Sequence, residues 1–250
     1  MLYGHKDKIT LFERLIKSDR VSHAYLFFGD SGIGKFLFAK LLGCYVETGK
    51  WDSNHTLIDT REFFPAKDKI FIGIDEAREI KAFLWSTPLA SSKRVAIINN
   101  AHLLTSEAQS AMLKIVEEPP KHALIIFISH DPSVFGTPLL SRLIKIYFTR
   151  FSKVEIADFL RTRDVSQKKC DEISVKSYGR IARALELLHN HKDTEEENMF
   201  EKNILNLREN NNIAHSRKIL WLLEKEANIK RFRLNRELQK KSIQEFLCRP

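Results

Sequence analysis

Gly29-Asp30-Ser31-Gly32-Ile33-Gly34-Lys35 spells a phosphate-binding loop that is complete up to its last position. In such a loop the glycines let backbone N–H groups turn toward an anion, and the lysine reaches the β- and γ-phosphates. The hydroxyl after the lysine would hold Mg²⁺, but here that position is Phe36. A benzyl ring has no oxygen for a hard cation that demands oxygen donors. A second change of the same kind follows Val95-Ala96-Ile97-Ile98. An apolar strand ending in two acids would complete the metal site and activate water, and here the pair is Asn99-Asn100. An amide carries no charge and is a poor general base. As a bland alternative, the two asparagines simply cap the strand. A third position is Arg142, in Ser141-Arg142. An arginine there could stabilise transition-state charge on a neighbouring subunit's nucleotide. Local sequence alone favours an ordinary surface arginine in a turn.

These residues need a scaffold, and the chain predicts one. Ala24–Phe28 is a short apolar run ending at the glycine loop, and residues 35–45 place Leu37, Phe38, Leu41 and Leu42 at helical spacing. Strand, loop and helix in that order is the context a phosphate loop requires. Further strands are expected at residues 55–59, 69–74, 94–99, 123–129 and 144–148. Helices are expected from Asp75 to about Trp85, and from Thr105 to Glu117-Glu118-Pro119-Pro120. This alternation predicts a parallel α/β sheet covered on both faces. Beyond Phe151 only helices are read, at residues 153–162, 167–176 and 180–188. A polar stretch then leads to one or two amphipathic helices after Asn212.

The 250 residues are 43% hydrophobic and 29% charged, as in a soluble globular protein. The longest apolar runs are strand-length, so no membrane span is expected, and residues 1–8 lack the apolar core of a signal peptide. Cys44, Cys170 and Cys248 are scattered, which fits a reducing, cytoplasmic setting and neither a disulfide frame nor a cysteine zinc site. The net charge of +9, with an excess of Lys and Arg over residues 201–250, favours contact with nucleic acid or an acidic partner. None of the nine histidines reads as part of a metal site, and Glu117-Glu118 reads as a helix end, not a catalytic dyad.

The segments His23-Ala24-Tyr25-Leu26-Phe27-Phe28-Gly29, Asn100-Ala101-His102-Leu103-Leu104-Thr105, Leu113 to Pro120, and Ser141-Arg142 occur in an order that resembles bacterial clamp-loader subunits. The resemblance covers roughly residues 1–190 and is closest to the delta-prime branch of that family. It implies an AAA+ P-loop domain at residues 1–150, a small helical lid at 151–190 and a shortened helical collar at 191–250. It also implies a subunit of the DNA polymerase III holoenzyme, in which polymerase activity belongs to the whole complex. Such a subunit would not be catalytic alone. Gly29, Gly32, Gly34 and Lys35 would be a vestigial phosphate loop, and Arg142 a finger acting in trans. Gamma/tau and delta subunits would be its direct partners, with the sliding clamp and primed DNA met indirectly. Leu143 replaces the cysteine that usually follows this arginine. Only Cys44 stands where the branch usually has a four-cysteine zinc module, so no metal is expected. Ser129 falls at the sensor-1 position, and Ala182 aligns with the usual sensor-2 arginine, with Arg183 beside it. No cofactor is required by this reading, and binding of ATP or ADP stays open. Two rivals remain: a gamma/tau-like ATPase that tolerates Phe36, and a stand-alone AAA+ DNA-repair protein.

Overall fold

A computed structural model describes residues 3–52, 55–65 and 69–189. Residues Met1–Leu187 form one compact unit; the second unit begins at Leu188, and the expected collar lies outside the described residues. The first unit opens with helix α1 (Lys6–Lys17), strand β1 (Ala24–Phe28), α2 (Lys35–Thr48) and β2 (Thr60–Phe63). It continues with α3 (Ile74–Trp85), β3 (Arg94–Ile98), α4 (Ser106–Glu117) and β4 (Ala123–Ile128). The short α5 (Thr137–Leu140), β5 (Ile144–Tyr147), α6 (Lys153–Arg161) and α7 (Gln167–Lys176) follow, and residues 181–189 are helical (α8).

The five strands form one parallel sheet in the order β2-β3-β4-β1-β5. Successive side chains of a strand point to opposite faces. Ala24 and Leu26 of β1 join Ala96, Ile98, Ile125 and Phe127 in a core under α3 and α4. Tyr25 and Phe27 join Val95, Ile97, Leu124 and Ile126 in a second core under α1 and α2. Burial on both faces is why these strands read as unbroken apolar runs. In the second core Phe27, Phe38 and Phe148 meet with ring centroids 5.2–5.8 Å apart, directly beneath the glycine loop. Such aromatic pairs add about 0.5–1.5 kcal/mol each beyond the area they bury.

Two expected strands are corrected. Residues 55–59 form no strand; β2 begins at Thr60 because Asp59 is committed elsewhere. Its fully buried carboxylate accepts N–H bonds from Leu89, Ala90 and Ser91 at 2.6–2.8 Å and lies 3.4 Å from Arg94 Nη1. Residues 69–73 contribute only one isolated bridge, Ile72 to Leu104. Ile72 is buried there, whereas Ile70 and Phe71 face solvent, so this apolar run does not join the sheet. Helix α3 begins at Ile74, one residue before the expected start, and is capped at Gly73: Glu76 Oε2 reaches back to accept the Gly73 N–H at 2.9 Å.

Burial pushes the Asp59 carboxyl up, but the three backbone donors outweigh this and hold it below the usual range. Asp59 therefore stabilises the fold above the ordinary carboxylate range, and that contribution is lost as pH falls through its lowered value. Replacing Asp59 with Ala strands a buried guanidinium and three N–H groups, and should cost about 3–5 kcal/mol in urea unfolding at pH 7.

Candidate functional site

All strands run the same way, so the sheet has two chemically different edges. At the C-terminal edge the segments after β1, β3 and β4 meet around a cleft of about 360 Å³. Its wall includes Lys35 and Phe36 of α2, Asn99 and Asn100 after β3, Ser129 after β4, and Ala182 of α8. Ligands of open α/β sheets bind at this edge.

The glycine loop is held from below and from the side. Gly29 has φ +133°, and a Cβ there would sit 2.3 Å from the Phe148 carbonyl oxygen, so no side chain fits. The buried His5 ring donates its Nε2–H to the Ile33 carbonyl at 3.0 Å. Burial pushes His5 below the usual imidazole range, which keeps it neutral. Asp30 pairs with Arg150, and that hydrogen bond holds its carboxyl below the ordinary value. The Ala182 N–H donates to the Gly32 carbonyl at 3.0 Å, and a Cβ on Gly32 would lie 3.1 Å from Ala182 Cβ. The position aligned with a sensor-2 arginine is thus a small residue packed on the loop itself.

Lys35 is buried and donates to the Gly29 and Asp30 carbonyls, both at 2.6 Å. An ammonium has three donors. Two brace the loop and the third remains for an anion. Gly29, Gly32, Gly34 and Lys35 therefore keep the form of a phosphate cradle. The metal side does not fit Mg²⁺. Phe36 packs edge-on against Phe64 with centroids 5.7 Å apart, in the place of the hydroxyl ligand. Asn99 follows the end of β3, and Asn100 adopts left-handed backbone (φ 52°), a conformation asparagine tolerates well. Ser129 is buried, and its hydroxyl is consumed in a local turn, donating to the Asp131 carbonyl at 2.7 Å and accepting the Asp131 N–H at 3.1 Å. Among the described residues no group of three His, Cys, Asp or Glu side chains could hold a metal ion.

Sequence reading missed a histidine pair here. The rings of His102 and His130 meet edge to face with centroids 4.2 Å apart on the cleft wall. Burial lowers the His102 value, with His130 and Lys35 adding to it. The two follow β3 and β4, and only the adjacency of those strands brings them together.

Arg142 is absent from the cleft wall. It precedes β5, at the N-terminal edge of the sheet, while the glycine loop follows β1 at the opposite edge. A five-residue strand separates the two edges by on the order of 15 Å. The Arg142 side chain is 40% exposed, pairs with Glu117 at 2.8 Å, and donates to the Pro138 carbonyl at 2.6 Å.

The family model described as "DNA polymerase III, delta subunit" matches residues 4–152, more than half of the chain. The tau subunit of DNA polymerase III from Bacillus subtilis is 30% identical over 188 residues, spanning 69% of this chain and 33% of that protein. The gamma/tau subunit from Mycoplasma pneumoniae is 27% identical over 174 residues, 64% of this chain and 24% of its own length. The chain thus spans a third or less of these relatives. Among solved structures, the RuvB Holliday junction branch migration motor of Thermotoga maritima superposes with a TM-score of 0.56 at 17% identity. That match covers 76% of this chain and 62% of that one, a likeness of fold. The sheet and its helices accordingly share the α/β fold seen in AAA+ P-loop domains.

Burial pushes Lys35 from the usual 10.5 down to about 8, opposed by the Asp30 carboxylate. Between about pH 8 and 10.5 the native state sheds this proton before the unfolded chain does. Native stability relative to Lys35→Met should therefore rise with pH across that window, by at most about 3 kcal/mol. Paired denaturation series at pH 7, 8, 9 and 10 read this, and a flat difference would mean that the ammonium is solvated.

Proposed function

The chain belongs to the DNA polymerase III, delta subunit family of clamp-loader proteins, and on that footing we propose that it is the delta-prime-type subunit. In this role its own P-loop site is silent, and it completes the site of a neighbour. The observation that carries the reading is the cleft wall. Every position that should supply a metal-binding hydroxyl or carboxylate is Phe36, Asn99 or Asn100, while the lysine and the loop are kept. Such a wall can hold an anion, but at these three positions it offers a magnesium ion no hydroxyl or carboxylate.

Arg142 supplies the other half of the reading. It is exposed, its guanidinium is tied to Glu117 and Pro138, and it sits on the edge opposite the chain's own cleft, so its reach is toward another molecule. A guanidinium brought to a neighbouring gamma/tau subunit's nucleotide neutralises charge that develops on the transferring phosphoryl group. The delta subunit is the second direct partner, and sliding clamp and primed DNA are met through the assembly, in the cytoplasm. DNA contact would run through phosphates and weaken with salt. Asp30–Arg150 and Gly32–Ala182 tie the loop to the segment after β5 and to the lid. Those ties suit a rigid partner surface more than a cycling motor.

One finding favours a second reading. The curated relatives named above are tau and gamma/tau subunits, so a gamma/tau-like ATPase with Phe36 is the rival. Assays of phosphate release separate the two. The purified chain alone should release no phosphate from ATP above background, and steady turnover would favour the rival. In the assembled loader, Arg142→Ala should slow single-turnover hydrolysis at the facing site by about 10³-fold. Clamp-stimulated hydrolysis at the wild-type rate would remove the finger from the account.

A further inference from the structure

Three segments far apart in sequence converge at the N-terminal edge of the sheet. His23, before β1, donates its Nε2–H to the Val116 carbonyl at 2.7 Å and so pins the C-terminal turn of α4. The next residue, Glu117, ends α4 and places Oε1 2.8 Å from Arg142 Nη2. Arg142 Nη1 donates to the Pro138 carbonyl at 2.6 Å and approaches Ser141 Oγ at 3.4 Å.

A carboxylate is badly placed at residue 117 unless something compensates. Helix C-termini carry partial negative charge, and anions there are destabilising. Pro119 and Pro120 follow closely and have no N–H to cap the helix end. Arg142 is the compensating cation for Glu117. The benefit also runs the other way. A free arginine has about 2 kcal/mol of rotamer entropy to lose when it docks on a phosphate. Of the five guanidinium N–H groups, the contacts with Glu117, Pro138 and Ser141 engage one on Nη2 and those on Nη1. The Nε–H and one Nη2–H remain for a phosphate oxygen.

We propose that Glu117 is a positioning residue for Arg142, holding its guanidinium in the pose from which it meets the neighbouring subunit's nucleotide. This rests on the reading of Arg142 given above. Glu117 touches no substrate; it acts by ordering the arginine before the partner's reaction begins. His23 supports it in turn by fixing the helix end from which it projects.

A merely structural ion pair at this exposure is worth little to stability and would leave the partner's chemistry alone. The test uses full-length chains assembled with the partner subunits and clamp, comparing Glu117→Ala, Glu117→Gln, Arg142→Ala and the double Glu117→Ala/Arg142→Ala variant. Thermal melting and gel filtration verify folding and assembly. Glu117→Ala should lower kcat at the facing site about 10-fold with KM unchanged. Glu117→Gln, which keeps an acceptor oxygen, should recover part of the loss, and the double variant should match Arg142→Ala alone. Wild-type kcat for Glu117→Ala, where Arg142→Ala is impaired, would overturn the positioning role and leave the finger standing. Losses that multiply in the double variant would overturn it too. Arg142→Ala at the wild-type rate would remove both.

Discussion

The parallel direction of the five strands is the constraint on which the rest of this structure depends. Parallel strands must be joined by crossovers that carry the chain back across the sheet. Each return separates residues that leave a strand from residues that enter the next. The glycine loop, Asn99, Asn100, Ser129, His102 and His130 all leave strands, so they gather at one edge. His23, Glu117 and Arg142 all lead into strands, so they gather at the other. The buried runs of β1, β3 and β4 lie between the two sets and keep them apart. One domain therefore presents two different chemistries at opposite edges of its sheet.

The electrostatics of the cleft follow from the side chains that line it. A P-loop lysine is normally balanced by phosphates and a carboxylate-bound metal. Here the carboxylates facing the cleft are amides, and the nearest acid, Asp30, is committed to Arg150. Lys35 consequently rests on two carbonyls, and burial lowers its proton affinity. His102 is pushed the same way by burial, with His130 and Lys35 adding to it. A site of this kind is costly to keep charged and has little to offer a metal. Its backbone is nevertheless fully braced by His5, Phe148 and Ala182. A loop braced from three sides keeps its form with or without turnover.

At the opposite edge, groups that look awkward singly are consistent together. Glu117 opposes its own helix dipole, and Arg142 is an exposed cation beside a short helix. Paired, each removes the other's cost, and the cost of ordering the arginine is met within the fold.

Much of this was legible without coordinates. The β1–loop–α2 unit follows from an apolar run, three glycines and a helical repeat. That positions 36, 99 and 100 present no hydroxyl or carboxylate follows from the identities of Phe36, Asn99 and Asn100, because no fold gives a phenyl ring an oxygen. Local periodicity failed where burial depends on partners: residues 69–73 are apolar but no strand continues beside them, and residues 55–59 yield to the demands of Asp59. Strand order was out of reach, and with it the meeting of His102 with His130 and of Glu117 with Arg142. The sequence by itself determined which ligand groups the cleft can present, since that is a property of side-chain types. Only the tertiary structure decided which residues share an edge, because adjacency in a sheet is set by long-range pairing that no local pattern encodes.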